Sequence, residues 1–252
     1  MSVLSNKVAL VTGASKGIGA GIATALASAG AQVAVNYSSD QEGGERVAQA
    51  IIDSGGKAIA VKGDVSKAGD VKRLFEEVDA AFGRLDVLVN NAGVFRFGAV
   101  TEITEQGFHF HYNINVLGTI LAVQEAIKRF GTNGGNIINL SSIVGSHPVA
   151  GAALYASTKG AIETLTKGLA LELAPRKIRV NAISPGYTET EGNATAGTFD
   201  GGAGAVIAGK TPLGRLGRVT DIAPLAVFLA SEESGWITGE IIRAAGGILM
   251  AA

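Results

Sequence analysis

Short runs of apolar, often β-branched residues alternate along the chain with longer stretches of helical periodicity. The apolar runs lie at Val8–Val11, Val33–Val35, Ala58–Val61, Val87–Val89, Ile137–Leu140, Val180–Ile183 and Ile241–Ile242. Helical periodicity covers Ile18–Ala29, Gln41–Ile52, Val71–Phe82, Phe108–Phe130, Leu154–Leu173 and Ile222–Leu229. Strands that are apolar on both faces are typical of a parallel sheet covered by helices on both sides, where right-handed crossovers place them. The pattern predicts an α/β fold with a doubly wound parallel sheet of about seven strands.

One segment, from Thr190 to Pro212, departs from this alternation. It is rich in Gly, Ala and Thr and has no firm period, so it has little apolar surface to bury and low local stability. It is either a disordered surface loop or a mobile lid. Because it follows the sixth strand at the end where open α/β sheets bind ligands, we favour a substrate lid over about residues 188–212. No repeat or linker marks a second domain, and we expect one domain over residues 1–252.

Composition narrows the possible functions. The chain of 252 residues is 47% hydrophobic, and its 21 basic and 22 acidic residues give a formal net charge of -1 without long runs of either sign. This balance argues against nucleic-acid or anionic-membrane partners. The absence of Cys excludes disulfides, thiolate-bound zinc and a cysteine nucleophile. With no apolar run of 18 residues, we expect a cytoplasmic enzyme that acts on a small molecule.

A glycine-rich turn, TGASKGIG, joins the first strand to the first helix. Its candidate cofactor-binding residues are Gly13, Ser15, Lys16, Gly17, Ile18 and Gly19. Glycines permit a tight turn and let the backbone approach a pyrophosphate, whose charge is favoured at the positive end of the helix. Any strand-to-helix connection can use such a turn, but this strand–turn–helix context is typical of a Rossmann-type site. The turn therefore predicts dinucleotide binding.

The end of the second strand bears on which dinucleotide is bound. Its residues are Asn36, Tyr37, Ser38 and Ser39. An NAD-selective site is expected to carry an acid here for the ribose 2′-hydroxyl, and none is present. Asn36 would not repel a 2′-phosphate, and Ser38, Ser39 and Lys16 could bond it, which favours NADP(H). NAD(H) stays open, with Asp40 as the acid and Lys16 as a solvated turn residue.

Candidate catalytic groups cluster later in the chain. Tyr155 and Lys159 are four residues apart in a helical stretch and so share one face. A phenol can exchange a proton with a carbonyl oxygen near neutral pH if an ammonium stabilises its anion. Ser142 follows the fifth strand and could hold the substrate oxygen, although a loop-end serine often only bonds local backbone. Asn91, Ala92 and Gly93 follow the fourth strand, where small residues would let a cofactor pass close to the backbone.

Taken together, these motifs resemble the short-chain dehydrogenase/reductase family. In the family's order they are TGASKGIG, DV at Asp64–Val65, NNAG at Asn90–Gly93, NVLG at Asn115–Gly118, Ser142, YASTK at Tyr155–Lys159 and PG at Pro185–Gly186. They span nearly the whole chain. Within the family the sequence is similar to bacterial ketoreductases and 3-oxoacyl-carrier-protein reductases, with PLGR at Pro212–Arg215 and AGG at Ala245–Gly247.

The resemblance implies a role for each matched residue. Tyr155 would donate the proton, Lys159 would lower its pKa and bond the nicotinamide ribose, and Ser142 would orient the carbonyl. Asn115 would hold a water that relays protons to Lys159, although an asparagine inside a helix can also stabilise a kink. The remaining implied contacts are Asp64 and Val65 at the adenine, Asn91 near the adenine ribose, and Pro185, Gly186 and Thr188 against the nicotinamide amide. The resemblance also implies a homotetramer, and the chemistry requires no metal.

The substrate is less determined by the sequence. We favour NADPH-dependent reduction of a free ketone, or the reverse oxidation of a secondary alcohol. Reduction of a 3-oxoacyl carrier protein comes second and would need a basic patch, which two basic pairs, Lys128–Arg129 and Arg176–Lys177, could form. Basic residues at helix ends are more often solubilising. Polyol oxidation comes third, and a non-catalytic dinucleotide-binding regulator is the alternative from another class.

Several other residues suggest function but have ordinary interpretations. His109 and His111 are two apart, which on a helix points them to different faces, so packing or surface roles are favoured over a metal pair. His147 could border the substrate but is expected to be a plain loop residue. Phe95 and Phe97 could form an apolar pocket wall or simply pack. Trp236 is expected in the core or at a subunit contact.

Overall fold

A computed structural model describes residues 2–195 and 197–248 of the chain. Its main sheet consists of β1 (Val8–Val11), β2 (Gln32–Tyr37), β3 (Lys57–Lys62), β4 (Val87–Asn90), β5 (Gly135–Leu140), β6 (Ile178–Pro185) and β9 (Ile241–Ala244). All neighbours pair in parallel, in the order β3-β2-β1-β4-β5-β6-β9. Two short strands, β7 (Thr188–Glu189) and β8 (Gly217–Arg218), pair outside this sheet.

Helices cover both faces of the sheet. They are α1 (Gly17–Ser28), α2 (Gln41–Asp53), α3 (Ala68–Phe82), α4 (Glu105–Tyr112), α5 (Gly118–Arg129), α6 (Ile143–Ser146), α7 (Ala153–Leu173), α8 (Glu191–Thr195), α9 (Ala203–Lys210) and α10 (Val219–Ala230). Apolar side chains of α1, α2 and α10 form the core on one face, and those of α3, α5 and α7 form it on the other. The predicted Rossmann-type doubly wound sheet is confirmed.

The order of the strands fixes where a ligand can enter. The chain runs outward from β1 to β2 and β3, and then crosses back to β4 on the other side of β1. At this reversal the connections leave β1 and β4 in opposite directions, which opens a crevice at the carboxyl ends of the two strands. The glycine turn after β1 and the NNAG segment after β4 therefore meet at this crevice.

The stretch Phe108–Phe130, predicted from its helical periodicity, is helical as far as Arg129 and contains a π-helical turn. The helix is interrupted by a π-helical turn at Asn113–Leu117, between α4 and α5. Within the turn, the Asn115 side chain bonds backbone and side-chain groups of other elements. Such a π-turn inserts a residue into the helical ladder and re-aims the side chains around it. The interruption thus places Asn115 against the NNAG segment and α7.

The segment Thr190–Pro212 carries more structure than its lack of period indicates. It includes two helices, α8 and α9, and a short 3-10 turn at Asp200–Gly202. The Ala-rich sequence of α9 has good helix formers despite its glycines, which explains a helix without an amphipathic pattern. Ala196, inside this segment, lies outside the described residues.

Candidate active site

A cleft of about 680 Å³ opens at the carboxyl ends of the central strands. Every predicted cofactor-binding residue lines it, as do Ser142, Tyr155 and Lys159. Asn115 lies behind this lining, where it is 2% exposed. The structure therefore brings together residues from seven separate parts of the sequence that the motifs and strand ends singled out.

The glycine turn and the NNAG segment are fitted to each other. Gly13 has a positive φ of 60°, and a Cβ on it would lie 2.8 Å from the Ala92 Cα, so only glycine fits here. A Cβ on Gly19 would collide with the Asn91 side-chain amide. That amide donates to the Thr12 carbonyl at 3.0 Å and the Gly13 carbonyl at 2.8 Å. Asn91 thus holds the turn in place through its side chain.

Asn36 supports the same turn from β2. It is 1% exposed, and its Oδ1 accepts a hydrogen bond from the Gly13 amide at 3.1 Å. Its Nδ2 donates to three backbone carbonyls, those of Tyr37, Val61 and Gly63. Since both ends of the amide are bonded inside the protein, Asn36 has no donor left for a ribose phosphate. The residues that present free hydroxyls at this rim are Ser38 and Ser39, which are exposed.

The start of α1 accepts an anion in this structure. The carboxylate of Glu191, from α8, receives a hydrogen bond from the Gly17 amide at 3.0 Å. Unpaired amides and the helix dipole favour negative charge at a helix N-terminus. A carboxylate seated on this amide, over glycines that leave room for close approach, shows that the turn suits a pyrophosphate. The residues present therefore fit a dinucleotide.

Two charged groups flank the outer part of the turn. Lys16 lies 3.9 Å from Asp40, which also caps α2 by accepting from the Gly43 amide. That backbone hydrogen bond, more than the Ser15 hydroxyl and the Lys16 ammonium, holds the pKa of Asp40 below its usual value. Asp40 is therefore committed to the helix cap, while Lys16 remains about half exposed beside the cleft.

The wall of the cleft continues after β3, with Asp64 and Val65. Asp64 accepts hydrogen bonds from the Ser66 amide and hydroxyl, and its carboxylate lies 3.4 Å from the Lys67 ammonium. Burial raises the pKa of Asp64, but these bonds and the ammonium outweigh it and hold the pKa below its usual value. Val65 is 6% exposed and packs on Gly118, where a Cβ would come within 2.8 Å of its side chain.

The candidate catalytic groups meet at the other end. Tyr155 and Lys159 extend from the first turns of α7, and Ser142 caps the short helix α6 directly after β5. The Lys159 ammonium donates to the Leu140 carbonyl at 2.7 Å and lies 5.8 Å from the centre of the Tyr155 ring. Burial lowers the pKa of Lys159 to about 8, so the side chain is still largely charged at neutral pH.

The protonation of Tyr155 is governed mainly by its burial. Burial raises the pKa of Tyr155 to about 12, and the hydrogen bond with Ser142 acts in the opposite direction without overcoming it. The Lys159 ammonium, which donates to the Leu140 carbonyl, lies 5.8 Å from the centre of the Tyr155 ring. The phenol is thus fully protonated near neutral pH, which is the state required of a proton donor.

Asn115 joins the π-turn to this end of the cleft. Its Oδ1 accepts from the Val94 amide at 2.8 Å, and its Nδ2 donates to the Val94 carbonyl and the Thr158 hydroxyl. A Cβ on Gly93 would lie 3.4 Å from the Asn115 Oδ1 and 3.6 Å from the Lys159 Nζ. Asn115 and Lys159 are therefore neighbours across Gly93, with room between them that a larger residue would fill.

Several residues that carried no motif also line the cleft. They are Phe95, Phe97, Phe110, Ile114, Tyr187, Thr190, Asn193 and Thr198, among others. Phe95 and Phe97 follow NNAG directly, which was the one signal that could point to them. Nothing in the sequence predicted the hydrogen bond from the Gly17 amide to the Glu191 carboxylate, because this contact depends on the path of the segment after β7.

Most of the residues that were expected to have packing or surface roles lie in positions that agree with such roles. His111 is buried and packs in α4, and His147 is exposed outside the cleft lining. Trp236 is fully exposed, so a core position is wrong for it. Within residues 2–195 and 197–248 there is no cluster of potential metal ligands and no helix long and apolar enough to cross a membrane.

Comparisons with known proteins agree with this geometry. A family model described as enoyl-(acyl carrier protein) reductase matches residues 13–248. An oxidoreductase of Methylorubrum extorquens is 52% identical over 98% of this chain and all of its own. A hydroxynaphthalene reductase-like protein of Metarhizium majus is 38% identical over 97% of this chain and 95% of its own.

A solved structure shares the whole fold. It is a short-chain dehydrogenase from Burkholderia cenocepacia in complex with NADP, 38% identical, with a TM-score of 0.92 over 98% of this chain and 99% of that one. The motifs, the sheet order and these similarities lead to one conclusion. The chain is an oxidoreductase of the short-chain dehydrogenase/reductase family.

Proposed function

We propose that this protein is an NADP(H)-dependent carbonyl reductase that interconverts a ketone and a secondary alcohol. The observation that carries the proposal is the shared cleft, in which a protonated phenol, Tyr155, stands with Ser142 at one end and the glycine turn at the other. A bound NADPH would supply the hydride. The protein must then supply a proton, orient the carbonyl and hold charge near the developing oxyanion.

Each of these tasks falls to a group at the catalytic end. The Ser142 hydroxyl and the Tyr155 phenol bind the carbonyl oxygen together, which fixes the carbonyl carbon toward the nicotinamide side. As charge develops on that oxygen, Tyr155 transfers its proton to it. The buried, positively charged Lys159 stabilises the resulting phenolate, and Asn115 positions the Gly93 region so that a water can return a proton through Lys159.

The preference for NADP(H) rests on the rim around the adenine ribose. Ser38, Ser39 and the half-exposed Lys16 are available to a 2′-phosphate, whereas Asp40 is bonded to the Gly43 amide and close to Lys16. To make the NAD-specific contact with the ribose, Asp40 would have to give up its hydrogen bond with the Gly43 amide at the start of α2. The NADP complex of the Burkholderia cenocepacia relative supports the same cofactor. NAD(H) would bind more weakly.

Reduction of a 3-oxoacyl carrier protein is the second candidate. The matched family description also names an acyl-carrier substrate, but one that carries an enoyl group. The two basic pairs do come together, because Arg176 donates to the Ile127 carbonyl at the end of α5. However, Lys128 and Arg129 are paired with Glu125, and Arg129 also with Asp79. These acids neutralise much of the patch that an acidic carrier would need, so a free ketone is the preferred substrate.

The segment 188–212 is proposed to act as the substrate lid. Thr188, Thr190, Asn193 and Thr198 line the cleft, and Glu191 links α8 to the glycine turn. A dinucleotide would need the same amide, so α8 has to shift when the cofactor binds. Amide hydrogen exchange should change in this segment on addition of NADPH.

Association into a homotetramer and a cytoplasmic location complete the proposal. The apolar side chains of Leu171 and Trp236 are 82% and 101% exposed, which favours burial against other subunits. Light scattering on the purified protein would give the mass.

The experiment that tests the function measures oxidation of reduced nicotinamide by absorbance. A panel of small, bicyclic and open-chain ketones, and a 3-oxoacyl thioester of a carrier protein, would each be run with NADPH and with NADH. We expect ketone-dependent oxidation with NADPH at higher kcat/KM than with NADH. Binding of NADPH without oxidation by any substrate would favour the dinucleotide-binding regulator, and turnover of the carrier thioester alone would favour the second candidate.

A further inference from the structure

The substrate end of the cleft is walled by aromatic rings. Phe95, Phe97 and Tyr155 form a triangle in which the ring centres are 5.9 Å, 5.9 Å and 6.3 Å apart. All three residues line the cleft. The proposed proton donor is therefore itself one member of an aromatic cluster, and the two phenylalanine rings lie beside it in the cleft.

The phenylalanines are held in place by their backbone. The segment 94–98, which we call the aromatic arm, is bonded at three points: Val94 to Asn115, the Arg96 amide to the His111 Nε2 at 3.1 Å, and the Gly98 amide to the Gly151 carbonyl at 2.9 Å. His111 can accept because its Nδ1 faces the Gly107 carbonyl at 2.8 Å. Because the backbone of the arm is fixed in this way, the backbone loses little further freedom when a ligand packs on its side chains.

Phe97 remains uncovered in spite of this support. Its side chain is 55% exposed, although it lies in a cleft and beside two other rings. Exposed aromatic surface in a concave site is favourable for a ligand to bury. The ring face that is not turned to Tyr155 or Phe95 is thus available for stacking.

The charges lining the cleft lie away from this end. Among the described lining residues the charged ones are Lys16, Asp40, Asp64 and Lys159. The first three border the cofactor rim, and Lys159 is bonded to the Leu140 carbonyl. At this end Lys159 is the one charged residue among those described as lining the cleft, and Arg96, outside the lining, lies over the Phe110 ring at 4.4 Å. The lining therefore favours an uncharged substrate.

We infer that the substrate is an uncharged ketone carried on a planar aromatic ring system, with the ring stacked on Phe97 and Phe95. The inference rests on the proposed ketone reduction and adds the class of ketone. Offset or edge-on ring pairs bind better than their buried area alone accounts for, by about 2- to 12-fold in affinity per pair. An aromatic ketone should therefore be preferred over a saturated ketone of the same skeleton.

A matched pair of substrates tests this preference. In 2-tetralone and trans-2-decalone the carbonyl lies in a saturated ring, and only the second ring differs. Their kcat/KM values with NADPH would be divided by their rates of chemical reduction with borohydride. We expect the wild type to prefer 2-tetralone by about 2- to 12-fold after this correction.

Variants assign the preference to the aromatic arm. Phe97→Leu keeps an apolar side chain but removes the ring, so it should bring the corrected ratio close to one. Phe108→Leu is the control, because Phe108 is an exposed phenylalanine of α4 that stacks on Tyr112 outside the cleft lining. NADPH binding, measured by fluorescence, would establish that each variant is folded.

The outcomes separate this inference from the proposed function. A preference for 2-tetralone that Phe97→Leu removes and Phe108→Leu retains supports it. Turnover of cyclohexanone without that preference, or a preference unchanged in Phe97→Leu, overturns it and leaves ketone reduction standing. If none of the ketones supports oxidation of NADPH by the wild type, both the inference and the proposed function are overturned.

Discussion

Replacing the buried Lys159 by Met should make the cofactor-free protein more stable while removing its activity. The Lys159 side chain is 6% exposed, and burial lowers its pKa from 10.5 to about 8. That fall corresponds to about 3 kcal/mol of free energy against the ammonium in the folded state at neutral pH. Met has a similar length and no charge, so the penalty disappears in the variant.

The hydrogen bond to the Leu140 carbonyl is lost at the same time. Its loss offsets the gain by about 1 to 2 kcal/mol, since the carbonyl is left without this partner. We therefore expect the free energy of unfolding of Lys159→Met to exceed that of the wild type by about 1 to 2 kcal/mol at pH 7. A residue retained at such an energetic disadvantage is expected at a functional site.

The pH dependence distinguishes this explanation from simple repacking. Below about pH 8 Lys159 is charged in both folded and unfolded states, and the folded state bears the full penalty. Between about pH 8 and 10.5 the folded state is neutral while the unfolded state still binds the proton, so the penalty fades as the pH rises. The stability of the wild type should thus rise toward that of Lys159→Met over this range.

Urea unfolding followed by far-ultraviolet circular dichroism measures the difference. Circular dichroism is preferred because Trp236 is fully exposed and its fluorescence would report little of the core. Lys167→Met, at an exposed position of the same helix, is the control and should change stability by less than about 0.5 kcal/mol. If Lys159→Met is less stable than the wild type at pH 7, or its advantage is the same at pH 7 and pH 10.5, the reasoning is refuted.

Three further predictions concern the cofactor and pH. Glu191→Gln removes the carboxylate that bonds the Gly17 amide and should lower the Kd of NADPH about 2- to 5-fold by fluorescence titration. Glu189→Gln, at an exposed position of β7, should leave the Kd unchanged, and equal effects of the two variants would contradict competition at the turn. Ser38→Asp should raise the KM for NADPH by roughly tenfold through repulsion of the 2′-phosphate and leave the KM for NADH nearly unchanged, and an unchanged ratio would remove the NADP assignment. The kcat for ketone reduction should be constant below about pH 7 and fall through about pH 8 as Lys159 loses its proton, and a profile flat to pH 10 would exclude a role for its charge.

The sheet could be predicted from the sequence because its strands are buried on both faces. Each of the seven apolar runs became a strand, with ends that extend by up to two residues, as in β6 (Ile178–Pro185) against the predicted Val180–Ile183. Those extra residues, such as Ile178 and Pro185, are held by pairing with neighbouring strands. Pairing depends on tertiary structure, which a local apolar pattern does not contain.

The motifs predicted which residues meet in the cleft, but they did not predict the hydrogen bonds that these residues make. Asn36 was expected to face the ribose, yet its amide holds Gly13, so Asn36→Asp would place a buried carboxylate against three carbonyls and test the fold instead of the cofactor. The spacing of Tyr155 and Lys159 places them on one helical face, but the partner of the ammonium, the Leu140 carbonyl, comes from β5. Likewise, the π-turn at Asn115 depends on bonds to Val94 and Thr158 across the fold.

The role of the Tyr155 proton is tested most directly by Tyr155→Phe. The variant keeps the ring, so NADPH binding should change little, while kcat/KM for a ketone that the wild type reduces should fall by about 100- to 10,000-fold because the proton donor is gone. Both quantities would be measured on one preparation, binding by fluorescence and turnover by absorbance of the reduced nicotinamide. Full turnover by Tyr155→Phe, with NADPH bound as in the wild type, would contradict the account.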